Sequence, residues 1–290
     1  MEPEDKWGEN AIAQQKALIQ LGESKRLTAI PYLLTALRAR NHEPVSSKAG
    51  YALSNIGTPA IPVLVEVIRS KNEVPAVKMQ AIKALGHIRH RSAFPPLLEA
   101  LKHEDAGIRQ YAAGALGMTG KRGALPHLVK TMLNDSDSRV AETAARSLGM
   151  IGHQSSLKPL TKAVATDYSP QVKASACWAL GELRDPAVIP LLIWRVKERP
   201  EVAGKRTGLW YPDVRDAAAE ALYKIVEKGK TRNRVDENVK KLLLVHGHVR
   251  PRDPPQVKAH AYLDAFENRV SEKNARLYLK QLRALEGSLK

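Results

Sequence analysis

The sequence repeats itself every 31 or 32 residues, and this period constrains the fold more than any other feature. A leucine followed by a small residue marks the end of each unit. The pairs are Leu21-Gly22, Leu53-Ser54, Leu85-Gly86, Leu116-Gly117, Leu148-Gly149 and Leu180-Gly181, with a further copy at Leu222-Tyr223 after a 42-residue interval. A period that holds over five intervals predicts a solenoid of stacked units, and the longer last interval indicates an insertion.

Each unit contains the pattern of two helices. In the second half of the unit, apolar residues stand nine, five and one residues before the glycine position and two residues after it, which places them on one face of a helix. The residue five before is always alanine: Ala49, Ala81, Ala112, Ala144, Ala176 and Ala218. We predict that this alanine lets neighbouring second helices approach closely, and that the glycine ends each helix as a left-handed cap.

The first helix of each unit begins with an apolar residue and a proline. The pairs are Ile30-Pro31, Ile61-Pro62, Phe94-Pro95, Leu125-Pro126 and Ile189-Pro190. Proline fits the first helical turn because its missing amide hydrogen would have no partner there. The sequence thus predicts an all-α fold, a right-handed α-solenoid of about six to seven helical hairpins with terminal capping helices. Residues 1–29 form the N-terminal capping helix, residues 30–230 the array, and residues 231–290 a degenerate seventh repeat and a C-terminal capping helix.

The unit Ala-x-Pro-x-Leu … Val-Arg-x-x-Ala-x-x-Ala-Leu-Gly resembles the HEAT-type repeat, in particular the short variety found in phycobilisome lyases. The resemblance covers about residues 10 to 230. The family's basic residue after the valine is matched by Lys78, Arg109, Lys173 and Arg215, whereas Ser46 and Ala141 depart from the pattern. The resemblance implies a helical solenoid. It leaves the function open, because such repeats serve scaffolds, lyases, hydroxylases and nucleic-acid enzymes.

The charge of the chain suggests an acidic partner. Lys and Arg number 46 against 30 Asp and Glu, which gives a net charge of +16 and favours a protein or nucleic acid of opposite charge. The single cysteine, Cys177, excludes an internal disulfide and a cysteine-rich zinc module. No apolar run approaches the roughly 20 residues that span a bilayer, and residues 1–5 are acidic where a secretory signal is basic. We predict a cytoplasmic protein without a membrane partner.

No catalytic pattern is found in the sequence. It has no glycine-rich phosphate loop, since its glycines fall at helix ends. Hydroxylases that the repeat resembles place a His-Glu pair inside the second helix for a di-iron site, but His42-Glu43 and His103-Glu104 precede the predicted helices. The close pairs His87/His90 and His246/His248 have no third ligand nearby. We therefore predict no catalytic residue, no metal, no cofactor and no enzymatic activity.

The outward column of the second helices carries the candidate partner-binding residues. The outward positions stand three and seven residues before the glycine, and Tyr111 lies one residue beyond the second of them. The position three before the glycine varies from repeat to repeat, unlike the buried columns, and holds residue types that dominate binding hot spots. Two long insertions add basic and aromatic residues. The candidates are Tyr51, Lys83, Tyr111, Arg146 and Trp178 on the helices, and Lys205, Arg206, Trp210, Tyr211, Arg250 and Arg252 in the insertions. The alternative is that the outward column binds no partner and forms an ordinary solvated face. In that case Trp210 and Tyr211 fold back and cover the last repeats.

Three functions fit these observations. The first is a non-enzymatic scaffold that holds an acidic protein partner on the concave face, which second helices line in solenoids of this kind. The second is binding of nucleic acid or another polyanion through a basic groove and the C-terminal edge, which would weaken steeply with added salt. The third, a bilin lyase-like or chaperone-like factor, is implied by the family resemblance alone.

Overall fold

The computed structural model describes residues 5–39, 43–166, 168–189, 191–192, 195 and 214–229. Within these ranges the chain forms α-helices, short 3-10 turns and loops, and no β-strand. The predicted all-α fold is therefore confirmed. The predicted seventh repeat and C-terminal cap, residues 231–290, lie outside the described residues. So do the insertion candidates Lys205, Arg206, Trp210, Tyr211, Arg250 and Arg252.

Twelve helices can be bounded in the described ranges. They are α1 Asp5–Glu23, α2 Ile30–Leu37, α3 Glu43–Ile56, α4 Ile61–Arg69, α5 Pro75–Ile88, α6 Phe94–Ala100, α7 Ala106–Thr119, α8 Leu125–Asn134, α9 Ser138–Ile151, α10 Leu157–Ala165, α11 Pro170–Leu183 and α12 Val214–Gly229. The odd-numbered helices from α3 to α11, together with α12, are the second helices of the repeats. The N-terminal helix α1 has 19 residues and lies within the segment 1–29.

The chain separates into two compact units, residues 1–131 and 132–290. In the first unit α1 packs on α3, α3 on α5 and α5 on α7, while α2, α4 and α6 each pack on the second helix of their own repeat. In the second unit α9 packs on α11 and α11 on α12, with α10 against α11. Consecutive second helices thus stack on one another, which is the arrangement of an α-solenoid.

Helix starts follow the local sequence. A short 3-10 turn precedes α2, α4 and α6, and each of these helices carries its proline in the first turn. The polar turns cap the second helices: Asp105 Oδ1 accepts from the Ile108 amide at 2.9 Å, and Asp137 Oδ1 from the Arg139 amide at 2.9 Å. These caps satisfy amide groups that have no partner within the helix.

The core lies between the stacked helices, where the alanine column is located. All six alanines of the column are completely buried: Ala49, Ala81, Ala112, Ala144, Ala176 and Ala218. The leucines that precede the glycine position are equally inaccessible from Leu53 to Leu180, whereas Leu222 is half-buried. The predicted apolar stripe is therefore the core face of the second helices.

The structure corrects the predicted role of the repeat glycines. Gly86, Gly149 and Gly181 lie inside α5, α9 and α11, and the left-handed residue stands three positions later, as at Arg184 with φ 55°. A Cβ on Gly149 would lie 2.7 Å from the Ala179 Cα of the next second helix. The glycine is required because it lets two helix backbones approach each other.

Candidate functional site

Trp178 is at the centre of a cluster on the second unit. Its half-buried ring projects from α11, with the Arg146 Cζ of α9 at 5.8 Å and the Lys224 Nζ of α12 at 5.4 Å from the ring centroid. Cations at this distance are attracted to the ring face. We call Arg146, Trp178, Glu182, Glu220 and Lys224 the tryptophan cluster.

Two carboxylates hold Lys224 beside the ring. Its Nζ donates to Glu182 Oε1 at 2.7 Å and to Glu220 Oε1 at 3.0 Å. Burial by itself would lower the pKa of Lys224, but the hydrogen bonds and charges of Glu182 and Glu220 outweigh burial and raise that pKa above its ordinary value. Lys224 therefore stays charged at neutral pH, and the cation over Trp178 is fixed in place.

Glu142 extends this surface along α9. The Ser175 hydroxyl donates to Glu142 Oε1 at 3.4 Å, which links α9 to α11. Burial raises the pKa of Glu142, against the charge of Arg146 and the Ser175 hydrogen bond. Ala174, which the sequence places in the same outward column as Glu142, is buried. The position seven before the glycine therefore lies at the edge of the contact between second helices and is not fully outward.

In the first unit, Tyr51 and Lys83 meet at a cleft between α3 and α5. Tyr51 is 47% exposed, and its ring stands edge-on to His87 with 6.5 Å between centroids. The cleft has a volume of about 190 Å³, and we call it the α3–α5 cleft. It is lined by Ser47, Lys48, Gly50, Tyr51, Gln80, Lys83, Ala84 and His87. Tyr111 is half-buried on α7 and is not among the lining residues.

His87 experiences the positive charge of this region. Burial lowers the pKa of His87 below its ordinary 6.5, and the charges of Lys83 and Arg89 lower it further. At neutral pH the ring is therefore uncharged. It can donate one N–H and accept at the other nitrogen.

Sequence reasoning missed several residues of both surfaces. Lys224 and Glu182 were not candidates, although Lys224 lies one helical turn after Glu220 of the outward column. Gln80 and Gly50 were also missed. The sequence does distinguish Gly50, because the equivalent position of every other repeat carries a side chain. These residues are Ile82, Ala113, Ala145, Cys177 and Ala219.

The remaining reactive side chains have local structural partners. Cys177 is completely buried, and burial raises the pKa of its thiol to about 12 against the opposing charge of Arg195. His103 Nδ1 accepts from the Asp105 amide at 3.0 Å, and Arg109 Nη1 donates to the carbonyl oxygens of His103 and Glu104 at 2.9 and 2.7 Å. Arg109, the basic residue after the valine position, therefore fixes the loop that contains His103-Glu104.

The described part of the chain contains neither a metal-binding cluster nor a membrane-spanning helix. No group of three or more His, Cys, Asp or Glu side chains there is arranged to hold a metal ion. No helix there is both long and apolar enough to cross a membrane.

Comparison with known proteins identifies the repeat. The family model of HEAT repeats matches residues 68–144 and 125–204. Among solved structures, Kap121p is 14% identical and superposes with a TM-score of 0.53 over 90% of this chain and 31% of its own. Kap95 in its complex with Nup1 is 16% identical and superposes with a TM-score of 0.51 over 89% of this chain and 39% of its own. A chain in the complex of CpcE and CpcF of phycocyanin lyase from Nostoc sp. PCC7120 is 21% identical and superposes with a TM-score of 0.47 over 53% of this chain and 99% of its own.

A curated relative corrects the prediction about enzymatic activity. Deoxyhypusine hydroxylase of Eremothecium gossypii is 38% identical over 69 residues, which are 23% of this chain and 21% of the relative. The match thus spans about a fifth of the relative's length. The prediction that the chain is not an enzyme is overturned, because a relative by sequence is an enzyme. Repeat columns determine the fold, whereas activity depends on a few side chains that a fold-level argument does not constrain.

Proposed function

We propose that this chain, which consists of HEAT repeats over residues 68–144 and 125–204, is a scaffold that binds a segment of a partner protein on the outward face of its second helices. The tryptophan cluster is the observation that carries this proposal. Three consecutive second helices, α9, α11 and α12, each contribute a side chain to it. A partner segment lying across these helices would contact all three.

Trp178 offers apolar surface to a partner. Its ring is half-buried, so a partner could remove further apolar surface from water, and tryptophan and arginine are enriched among residues that dominate binding energy. Arg146 and Lys224 each place a cation over the ring, at 5.8 and 5.4 Å from its centroid, and two carboxylates hold Lys224. A side chain that is already fixed loses less conformational entropy when the partner binds, which favours affinity.

Solved complexes of the same fold support a protein as the partner. Kap95p has been determined with RanGDP and Kap95 with Nup1, with TM-scores to this chain of 0.50 and 0.51. In both cases the ligand is another protein. HEAT-repeat solenoids are thus typical protein-binding scaffolds, and the outward residues Tyr51, Lys83 and Tyr111 of the first unit are the further proposed contacts.

The partner can be found by photo-crosslinking from the proposed surface. A benzoylphenylalanine placed at the exposed Met150 of the full chain, one helical turn after Arg146 on α9, should crosslink to a protein in a lysate of the source organism. The same probe at Lys158, an exposed position on α10 of the same unit, is the matched control. A protein captured from position 150 and not from position 158 is then purified for calorimetry.

Calorimetry with that protein tests the assignment. Arg146→Ala should weaken binding by about 1–2 kcal/mol, roughly five- to thirtyfold, while Lys158→Ala leaves the Kd within a factor of two. Trp178→Phe, which keeps an aromatic ring, should have an intermediate effect. Equal Kd values for Arg146→Ala and Lys158→Ala would remove the tryptophan cluster from the binding surface.

A further inference from the structure

We infer that the α3–α5 cleft is a recognition pocket for a carboxylate side chain, supplied by an acidic peptide segment of a partner protein. The inference rests on the proposed function in that the ligand is a protein segment. It goes further by naming the chemistry of the ligand and a site in the first unit.

Gly50 forms part of the cleft wall. It stands in a column that holds isoleucine, alanine or cysteine in the other repeats, so α3 carries no side chain where it faces α5. A Cβ added to Gly50 would lie 3.3 Å from the Gln80 carbonyl oxygen and 3.5 Å from Leu37 Cδ1, so the α3 backbone lies close to α5 at this point. A side chain at position 50 would therefore press on the part of the wall that Gln80 forms.

The lining residues are hydrogen-bond donors. Lys48 and Lys83 contribute ammonium groups, Ser47 and Tyr51 hydroxyl groups, and Gln80 an amide. Gln80 is only 9% exposed, and its side-chain amide makes no hydrogen bond to any other described residue. Its amide group is not among the completely buried unpaired atoms of the described residues, so water reaches it, and a carboxylate in the cleft could accept its hydrogen bond in place of water.

The charge of the cleft selects an anion. No acidic residue lines it, and neither lysine has an ion-pair partner within the described ranges. Two other exposed cations of this unit are paired, as Arg38–Glu73 at 2.8 Å and Arg69–Glu99 at 2.7 Å. Among the described residues, the cleft therefore presents two positive charges without an ion-pair partner beside neutral donors.

A single carboxylate fits this cleft better than a nucleic-acid backbone does. The described lining residues offer two ammonium groups, two hydroxyl groups and one amide, which can pair with the two oxygens of one carboxylate. Nucleic-acid binding requires contacts to several successive phosphates, whereas these donors converge on one space of about 190 Å³. A single glutamate or aspartate side chain, inserted beside Gly50, can use the two lysines and the Gln80 amide together.

The test uses the full chain and a fluorescein-labelled hexaglutamate peptide, with hexaglutamine as the uncharged control. Fluorescence polarisation at low ionic strength should show binding of hexaglutamate alone. Lys48→Ala/Lys83→Ala should weaken it about tenfold, which combines two ion pairs of ordinary surface strength. Lys16→Ala/Lys102→Ala removes the same charge from two exposed positions of the first unit and should change the Kd less than twofold.

A second readout locates the ligand in the cleft. Bound hexaglutamate should raise the pKa of His87, followed by NMR of its ring protons, because an anion favours the charged imidazole. Gly50→Ala, checked for folding by circular dichroism, should weaken hexaglutamate binding, because the new Cβ would press on the Gln80 backbone in the cleft wall.

Three results would overturn the inference. They are equal losses in the two double-lysine variants, a His87 pKa that hexaglutamate leaves unchanged, and tighter, cleft-dependent binding of a phosphopeptide or an oligonucleotide. These results are distinguishable from failure of the proposed function, which is judged by Arg146→Ala and the crosslinked partner. Cleft variants that behave like the control lysines, while Arg146→Ala weakens the partner, would reject the cleft and leave the scaffold function standing.

Discussion

Gly149→Ala should destabilise the second unit even though alanine is the better helix former. In a helix interior, replacing glycine by alanine gains about 1 kcal/mol when nothing obstructs the methyl group. Here the new Cβ would lie 2.7 Å from Ala179 Cα, 2.8 Å from Ala179 Cβ and 2.9 Å from Trp178 Cζ3. The first distance is 0.7 Å short of 3.4 Å, the lower limit of ordinary contact. The obstacle is helix backbone, so α9 and α11 must move apart.

The expected loss follows from these opposing effects. Overpacking of this kind costs roughly 1–3 kcal/mol, and a backbone obstacle places the cost near the upper end. After the helix-propensity gain is subtracted, the free energy of unfolding should fall by about 1–2 kcal/mol. Urea unfolding followed by circular dichroism measures this difference, with the slope of the transition checked for constancy.

Gly107→Ala is the matched control for this experiment. Its Cβ would meet the terminal Cε of Met79 at 2.8 Å, which a flexible side chain can move, and Asp105 Oδ1 at 3.0 Å. This variant should lose less than 1 kcal/mol, on the order of an ordinary tolerated substitution. If Gly149→Ala is as stable as the unsubstituted chain or more so, the glycine is not needed for helix approach and the packing argument fails.

Three further predictions concern ionisable groups. A hydrogen bond from the Arg139 side chain is the main cause that lowers the pKa of Asp137 to about 2. The ionised Asp137 carboxylate therefore stabilises the fold above pH 3.8, and this stabilisation disappears as the pH falls through 2. Asp137→Ala should therefore lower stability by about 1 kcal/mol at pH 7, and a difference that persists undiminished at pH 2 would contradict this. Cys177, whose pKa burial raises to about 12, should resist Ellman's reagent at pH 8 until the chain unfolds, and rapid labelling of the native protein would refute its burial. Lys83→Met should raise the pKa of His87 towards 6.5 in an NMR titration, and an unchanged value would show that the lysine charge does not reach the ring.

The fold could be predicted from the sequence because the same small residue recurs at the same helix contact in each repeat. An alanine at a constant offset in six units, such as Ala49 and Ala144, occurs where only a small side chain fits, and each of the six is fully buried. The role of the glycine could not be predicted in the same way. A glycine near a helix end suits both a left-handed cap and a close helix contact, and the distinction requires the position of Ala179 on the neighbouring helix.

The candidate site could be predicted in part for a related reason. The outward column can be counted along one helix, and Tyr51, Lys83 and Arg146 are all exposed in the structure. The groups that surround them come from neighbouring helices. Lys224 reaches Trp178 across the one interval that is longer than the repeat, so no constant offset relates the two residues.

Hydrogen exchange of the full chain, with and without the crosslinked partner, tests the central claim most directly. If the partner lies on the outward face of the second helices, amide exchange should slow in α9, α11 and α12 and remain unchanged in the first helix α10. Arg146→Ala should abolish this slowing at the same partner concentration. Slowing confined to α10, with no change in α9, α11 and α12, would contradict the claim that the second helices bind the partner.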